Sequence, residues 1–222
     1  VTRAEIERFI AVQTQPGPAS LVPEIRLHLA GEVTPLWQAT EATLARHNVP
    51  PPYWAFAWPG GQALARHVLD HPETVRGTRV LDFAAGGGIA AIAAALSGAT
   101  ATAAEVDEVA AVAIVMNAAL NAVAVEALTA DVTARDPAAA ARDWDVVLAG
   151  DVFYERPMAE RVEPWLRGLA RHGALVLVAD PGRAYLPATG LDEVARYTVP
   201  TSRDLEDRES RETRVFRLSG AT

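Results

Sequence analysis

The sequence predicts an α/β fold of Rossmann-like type: a mainly parallel sheet with helices on both faces, a terminal antiparallel strand pair and an N-terminal extension. Three observations carry this. From Arg79 onward, short apolar runs alternate with stretches of helical period, the signature of a wound parallel sheet. Those runs are nearly continuous, as strands covered on both faces require. The last two, Val194–Val199 and Thr213–Leu218, alternate in polarity with no long helix between them, so they pair antiparallel.

Taken in order, RVLDF (Arg79–Phe83) is the first buried strand, and an alanine-rich helix through Leu96 follows a glycine turn. Ala99–Glu105 is the second strand. Asp107 caps a helix with Val109, Val112, Ala113 and Met116 inward. Val125–Leu128 and Trp144–Ala149 are the third and fourth strands. Pro157 sits at the start of a helix with Met158, Val162, Trp165, Leu166 and Leu169 inward, and Gly173 stops it. Ala174–Ala179 is the fifth strand. The Pro-rich first third, including Pro35, Pro50 and Trp37, reads as short helices and loops, with Ile6, Phe9 and Ile10 on one helical face and a helix over Gln62–His71. Residues 1–78 thus form an extension packed on a core of residues 79–222 within one structural domain.

Composition narrows the chemistry. The 222 residues carry a net charge of −8, a poor match for a nucleic-acid backbone. Cysteine is absent, which excludes thiolate nucleophiles and Cys-ligated metals, and all 20 basic residues are arginine, which excludes a P-loop lysine and a Schiff base. No apolar run suits a membrane span, and Glu5 and Glu7 with no following apolar core argue against a targeting segment, so a cytoplasmic location is expected. The five histidines (His28, His47, His67, His71 and His172) have no metal-ligand spacing and read as surface residues; no metal is expected.

Three constellations carry chemistry. The turn Asp82-Phe83-Ala84-Ala85-Gly86-Gly87-Gly88 joins the first strand to its helix, where small residues let a ligand approach the backbone and free N–H groups. Gly86 to Ala91 also satisfies the dinucleotide pattern G-x-G-x-x-A, and Glu105 is spaced to meet ribose hydroxyls under either reading. Asp82 favours a cationic methionine moiety over a pyrophosphate, and the turn lies far into the chain. Gly150-Asp151-Val152-Phe153-Tyr154 follows the fourth strand, at the carboxyl end where ligands collect in such sheets. Trp54-Ala55-Phe56-Ala57-Trp58-Pro59-Gly60-Gly61-Gln62 supplies an apolar wall beside an approachable backbone, with Trp54 equally suited to latching the extension. Asp180-Pro181-Gly182-Arg183 is a turn after the fifth strand, and Arg183 is a candidate for binding substrate or bracing Asp180.

These blocks, with VPEIRLHL near Pro23, resemble the lysine methyltransferases of the electron-transfer flavoprotein β-subunit from about Val22 onward. The resemblance implies a monomeric seven-strand fold, S-adenosyl-L-methionine as donor, S-adenosyl-L-homocysteine as product and a protein lysine as acceptor, methylated several times. It places Asp82, Ala84, Gly86 and Gly88 at the methionine end, Glu105 and Val106 at the ribose, and Asp131 and Val132 at the adenine. Trp58, Gly60, Gly61 and Gln62 would close over the donor, and Gly150 would face its reactive end. Asp151, Phe153 and Tyr154 would carry catalysis, with Asp151 capturing the incoming ammonium and Phe153, Tyr154 and Trp58 desolvating and aligning it. Trp54, Asp180 and Arg183 would contact the acceptor. The partner is then the flavoprotein β-subunit, not a nucleic acid or membrane. Two departures from the wider pattern are Ala84, where a glycine is usual, and Glu105, where aspartate is frequent. Rival readings are another protein or a small nitrogen compound as acceptor, a nicotinamide oxidoreductase, and a donor-binding module without catalysis.

Overall fold

A computed structural model describes residues 1–31, 51–201 and 208–220; Pro35, Trp37, His47 and Pro50 lie outside them. Helix α1 (Arg3–Gln13) opens with a capping box in which the Thr2 hydroxyl and the Glu5 carboxylate bond each other's backbone N–H. Ile6 and Ile10 turn inward, while Phe9 lies edge-on to Trp54. An unforeseen hairpin follows, β1 (Gln15–Pro18) with β2 (Arg26–Leu29). Pro16 and Pro18 fit because β1 is an edge strand and has no ladder to donate to on its far side.

Helix α2 (Pro59–Asp70) starts three residues earlier than its sequence pattern requires, with proline in its first turn. Then come β3 (Arg79–Phe83), α3 (Ile89–Leu96), β4 (Thr100–Glu105), α4 (Glu108–Leu120), β5 (Glu126–Thr129), the short α5 (Pro137–Ala140), β6 (Val146–Gly150), α6 (Arg156–Arg171), β7 (Leu175–Asp180), β8 (Leu191–Pro200) and β9 (Ser210–Leu218). Strands β3 to β9 form one sheet of order β5-β4-β3-β6-β7-β9-β8, in which β9 runs antiparallel to both neighbours. The expected wound sheet and terminal antiparallel pair are both present. Chain order reverses at β3, which pairs with β4 on one side and β6 on the other. The crevice outside the carboxyl ends of β3 and β6 is therefore where a ligand belongs.

Two apolar layers sandwich the sheet. One joins Leu64 and Val68 of α2 and the alanines of α3 to Val80, Leu148 and Leu177. The other joins Trp165, Leu166 and Leu169 of α6 to Leu81, Val147 and Val178. Of the apolar positions expected on helix α4, Ala113 is fully buried. Ala110, Ala111, Ala113, Ile114, Asn117 and Ala118 are the buried positions, while Val109, Val112 and Met116 are partly buried against Ile6, Ile10 and Trp54. The reason is that α1 covers this helix's outer face, so both faces are apolar. Asn117 and Asn121, one turn apart on α4, accept hydrogen bonds from the backbone N–H groups of His28 and Arg26 at 2.7 and 2.9 Å. Their amides thus stand in for a neighbouring strand. His28 and His67 are buried rather than superficial, His28 against Asn117 and His67 between α2 and Tyr197 of β8.

Candidate active site

At the crevice lies a cavity of about 550 Å³. Its floor is the turn after β3. Ala84 and Gly86 both take left-handed backbone angles (φ 52° each), Gly86 at no steric cost and Ala84 at some. Asp82 is buried beneath them, one carboxylate oxygen accepting from the Ala91 N–H at 2.9 Å in the first turn of α3. Burial, reinforced by the like charge of Glu105, pushes its pKa up to about 8. Glu105 ends β4 and is raised to about 7 by burial and by Asp107. A cation placed against these carboxyls favours their ionised forms, and a sulfonium compound with an amino group is such a cation. The floor is therefore suited to a small cationic ligand.

The opposite wall is the segment after β6. Asp151 also adopts a left-handed backbone (φ 54°), with its N–H on the Ala179 carbonyl at 3.0 Å. One carboxylate oxygen accepts the Gly60 N–H at 2.5 Å, and the other accepts Arg183 Nη2 at 2.8 Å. Burial raises the Asp151 pKa to about 6 against the pull of Arg183, so the pair is ionised at neutral pH. Gly60 is where the two loops touch. A Cβ there would sit 2.5–2.6 Å from Asp151 and the Ala179 carbonyl, and one on Gly150 would sit 2.7 Å from the Gly61 nitrogen. Backbone packs directly on backbone, and only glycine permits it.

Of the residues expected at the site, Trp54, Trp58, Gly61, Asp82, Ala84, Gly86, Glu105, Val106, Asp131, Gly150, Asp151, Tyr154 and Arg183 line the cavity. Six do not. Phe153 is fully buried in the α6 layer, a correction to its expected place in an acceptor channel, because the strand end turns it inward and leaves Tyr154 at the mouth. Val132 is buried in the same layer. Gly88 packs on Ile114, and Gly60 on Asp151. Gln62 is buried as a brace, accepting from the Leu21 N–H and donating to the Ala57 carbonyl at 2.9 and 2.7 Å. Asp180 is buried beneath its own turn, one oxygen accepting from Gly182 and Arg183 N–H and the other without a hydrogen-bond partner among the described residues. Arg183 thus braces Asp151 through its side chain. Asp131 meets Arg161 at 3.3 Å and caps its own turn through Thr133.

Phe56 of the expected apolar wall also lines the cavity, as do Tyr53, Asp107, Met158 and Arg161, which the sequence did not single out for the site. Tyr53 and Phe56 were visible as aromatic density in PPYWAFAW; Met158 and Arg161, one helical turn further into α6, had no local signal. Burial and Tyr53 push the Tyr154 phenol up to about 12, so it stays protonated and does not act as a base. Among the described residues no group of three or more metal-ligating side chains occurs, and no helix is long and apolar enough to cross a membrane.

The chain is 37% identical to the electron transfer flavoprotein beta subunit lysine methyltransferase of Danio rerio, over 89% of this chain and 77% of that protein. The human protein of the same name is 38% identical over 81% of this chain and 67% of its own length. The chain belongs to this methyltransferase family. The methyltransferase also matches a family model described as ribosomal protein L11 methyltransferase over residues 63–155. In fold it resembles magnesium protoporphyrin IX methyltransferase from Synechocystis with bound SAH, at 17% identity and TM-score 0.51 over 70% of this chain and 80% of that one. The 16S rRNA N2 G1207 methyltransferase of T. thermophilus, in complex with AdoMet and guanosine, gives 20% identity and TM-score 0.51 over 75% of this chain and 44% of that one. Family membership sets aside the nicotinamide reading of the glycine turn.

Proposed function

We propose that this methyltransferase acts on a lysine amine of the electron-transfer flavoprotein β-subunit, with S-adenosylmethionine as donor. The observation that carries the reading is the continuity of one cavity from the acidic glycine turn to an aromatic mouth. The donor, when bound, supplies an electrophilic methyl group on sulfur. Asp82 and Glu105 balance its positive charge, and Gly86 lets the backbone approach it. Trp58 and Tyr154 strip water from the acceptor ammonium, which favours the neutral amine that attack requires. With Asp151 bonded to Gly60 and Arg183, its part is to hold the two walls together, and the amine's proton leaves to water at the mouth. Most of the acceleration comes from alignment. The reading also takes the enzyme as a cytoplasmic monomer needing neither metal, nucleic acid nor membrane; the net charge of −8 supports the nucleic-acid part.

Incubation with purified flavoprotein and donor, followed by intact mass, is expected to show the β-subunit gaining whole methyl groups. No gain under conditions where the donor binds would contradict it. The family-model match over residues 63–155 favours a second reading, a ribosomal protein as acceptor, and the same mass assay on ribosomal proteins separates the two.

A further inference from the structure

Four aromatic rings at the cavity mouth stand in a chain of edge contacts. Phe56 meets Trp58 at 6.2 Å between centroids, Trp58 meets Tyr53 at 5.8 Å, and Tyr53 meets Tyr154 at 5.9 Å. Their planes are inclined by 68°, 70° and 63°. Rings so inclined turn their faces in different directions around the space they line, whereas parallel rings would stack on one another. Trp58 is fixed in place by its indole N–H, which donates to the Tyr53 carbonyl at 2.9 Å. All four rings line the same cavity as Asp82 and Gly86. Of the carboxylates lining the cavity beside these rings, Asp151 is matched by Arg183, while Glu155 follows Tyr154 on the exposed side.

The geometry points to Tyr53, Phe56, Trp58 and Tyr154 acting as an aromatic cage that selects methylated over unmethylated ammonium groups, and so sets how many methyl groups one acceptor amine receives. The inference rests on the lysine reading above and deepens it. A free ammonium is strongly hydrated and gains most from a carboxylate. Each added methyl removes one hydrogen-bond donor and adds apolar surface, so ring faces hold the cation better as methylation proceeds. In each round the amine lone pair forms an N–C bond while the C–S bond breaks, its electron pair staying on sulfur as a neutral thioether. One proton then passes to water before the next round, and the quaternary product has none to lose. A cage that retains the half-methylated amine pushes the reaction on to that last stage. Tyr53 belongs to the segment before α2, so the N-terminal region becomes part of product control.

The full chain saturated with S-adenosylhomocysteine, titrated with tetramethylammonium chloride and read by tryptophan fluorescence, tests the cage without turnover. Saturable binding is expected in the wild type, about tenfold weaker in Tyr53→Leu, which keeps apolar volume but loses the ring, and within about twofold of wild type in Tyr53→Phe. Equal binding by all three, or none beyond that of ammonium chloride, overturns the cage. With flavoprotein acceptors carrying zero, one or two methyls, Tyr53→Leu is expected to lose about twofold in kcat/KM on the free amine and about tenfold on the dimethylamine, leaving dimethyl product to accumulate. A uniform loss, or a weakened affinity for S-adenosylhomocysteine, assigns Tyr53 to packing or to the donor and overturns the inference. If the wild type leaves the flavoprotein unmodified, the proposed acceptor fails while the tetramethylammonium titration still decides the cage.

Discussion

At β3 and at β6 a largely buried carboxylate accompanies a left-handed backbone, at Ala84 after Asp82 and at Asp151 itself, yet the two carboxylates are electrically opposite. Asp82 lies beside Glu105, a like charge, and its pKa climbs to about 8. Asp151 lies beside Arg183, an opposite charge, and rises only to about 6. The first site is short of positive charge, and the second already has it. A carboxylate whose cation is built into the protein is architecture; one left without a cation waits for a ligand.

The largest expected effect breaks the second turn. Asp151→Ala removes the carboxylate that both the part-buried Arg183 guanidinium and the Gly60 N–H bond, a loss of about 3 kcal/mol and a fall in Tm of about 6 °C or more by calorimetry. Gly60→Ala attacks the same joint by volume. Its Cβ would lie 2.5 Å from the Asp151 carboxylate, so a loss of about 1–3 kcal/mol in denaturant unfolding is expected, with methyl transfer reduced as the two walls part.

The first turn is sharpened by pH. Asp82 and Glu105 bind protons more tightly in the folded chain than in the unfolded one, at about 8 and 7. Their contribution to stability is full below the ordinary carboxylate range and is lost as pH rises through those values. Without donor, Tm is expected to fall by at least about 3 °C between roughly pH 6 and pH 9. Donor affinity runs the other way, rising with pH as the carboxyls ionise. Titration calorimetry in buffers of different ionisation enthalpy checks this through protons released on binding.

How much of this was legible in the sequence follows the reach of each signal. Strands such as Arg79–Phe83 announced themselves because both faces are covered, and the terminal pair because one face is not. The β1–β2 hairpin hid behind Pro16 and Pro18, since its second strand borrows Asn117 and Asn121 from a helix about 90 residues later. Asp82, Glu105 and Asp151 could be read as site residues from their strand ends. That Asp151 is held by Arg183 and Phe153 faces the core depends on a single left-handed backbone angle, which residue type did not disclose.

The smallest effect concerns Ala84, which occupies a left-handed conformation at φ 52° where glycine is at ease. Ala84→Gly removes roughly 1–2 kcal/mol of steric cost and adds about 0.4–1 kcal/mol of unfolded-state entropy, for a net gain between about 0 and 1.6 kcal/mol in urea unfolding.

The contrast between the turns is tested most directly by measuring donor Kd and Tm together in Asp82→Asn and Asp151→Asn. Asp82→Asn should weaken S-adenosylmethionine binding by about tenfold or more while Tm holds or rises at neutral pH, because a neutral amide can still accept the Ala91 N–H. Asp151→Asn should lower Tm while donor Kd stays within about threefold of wild type below the transition. The reverse pattern, with Asp151 setting donor affinity and Asp82 setting stability, would contradict the account.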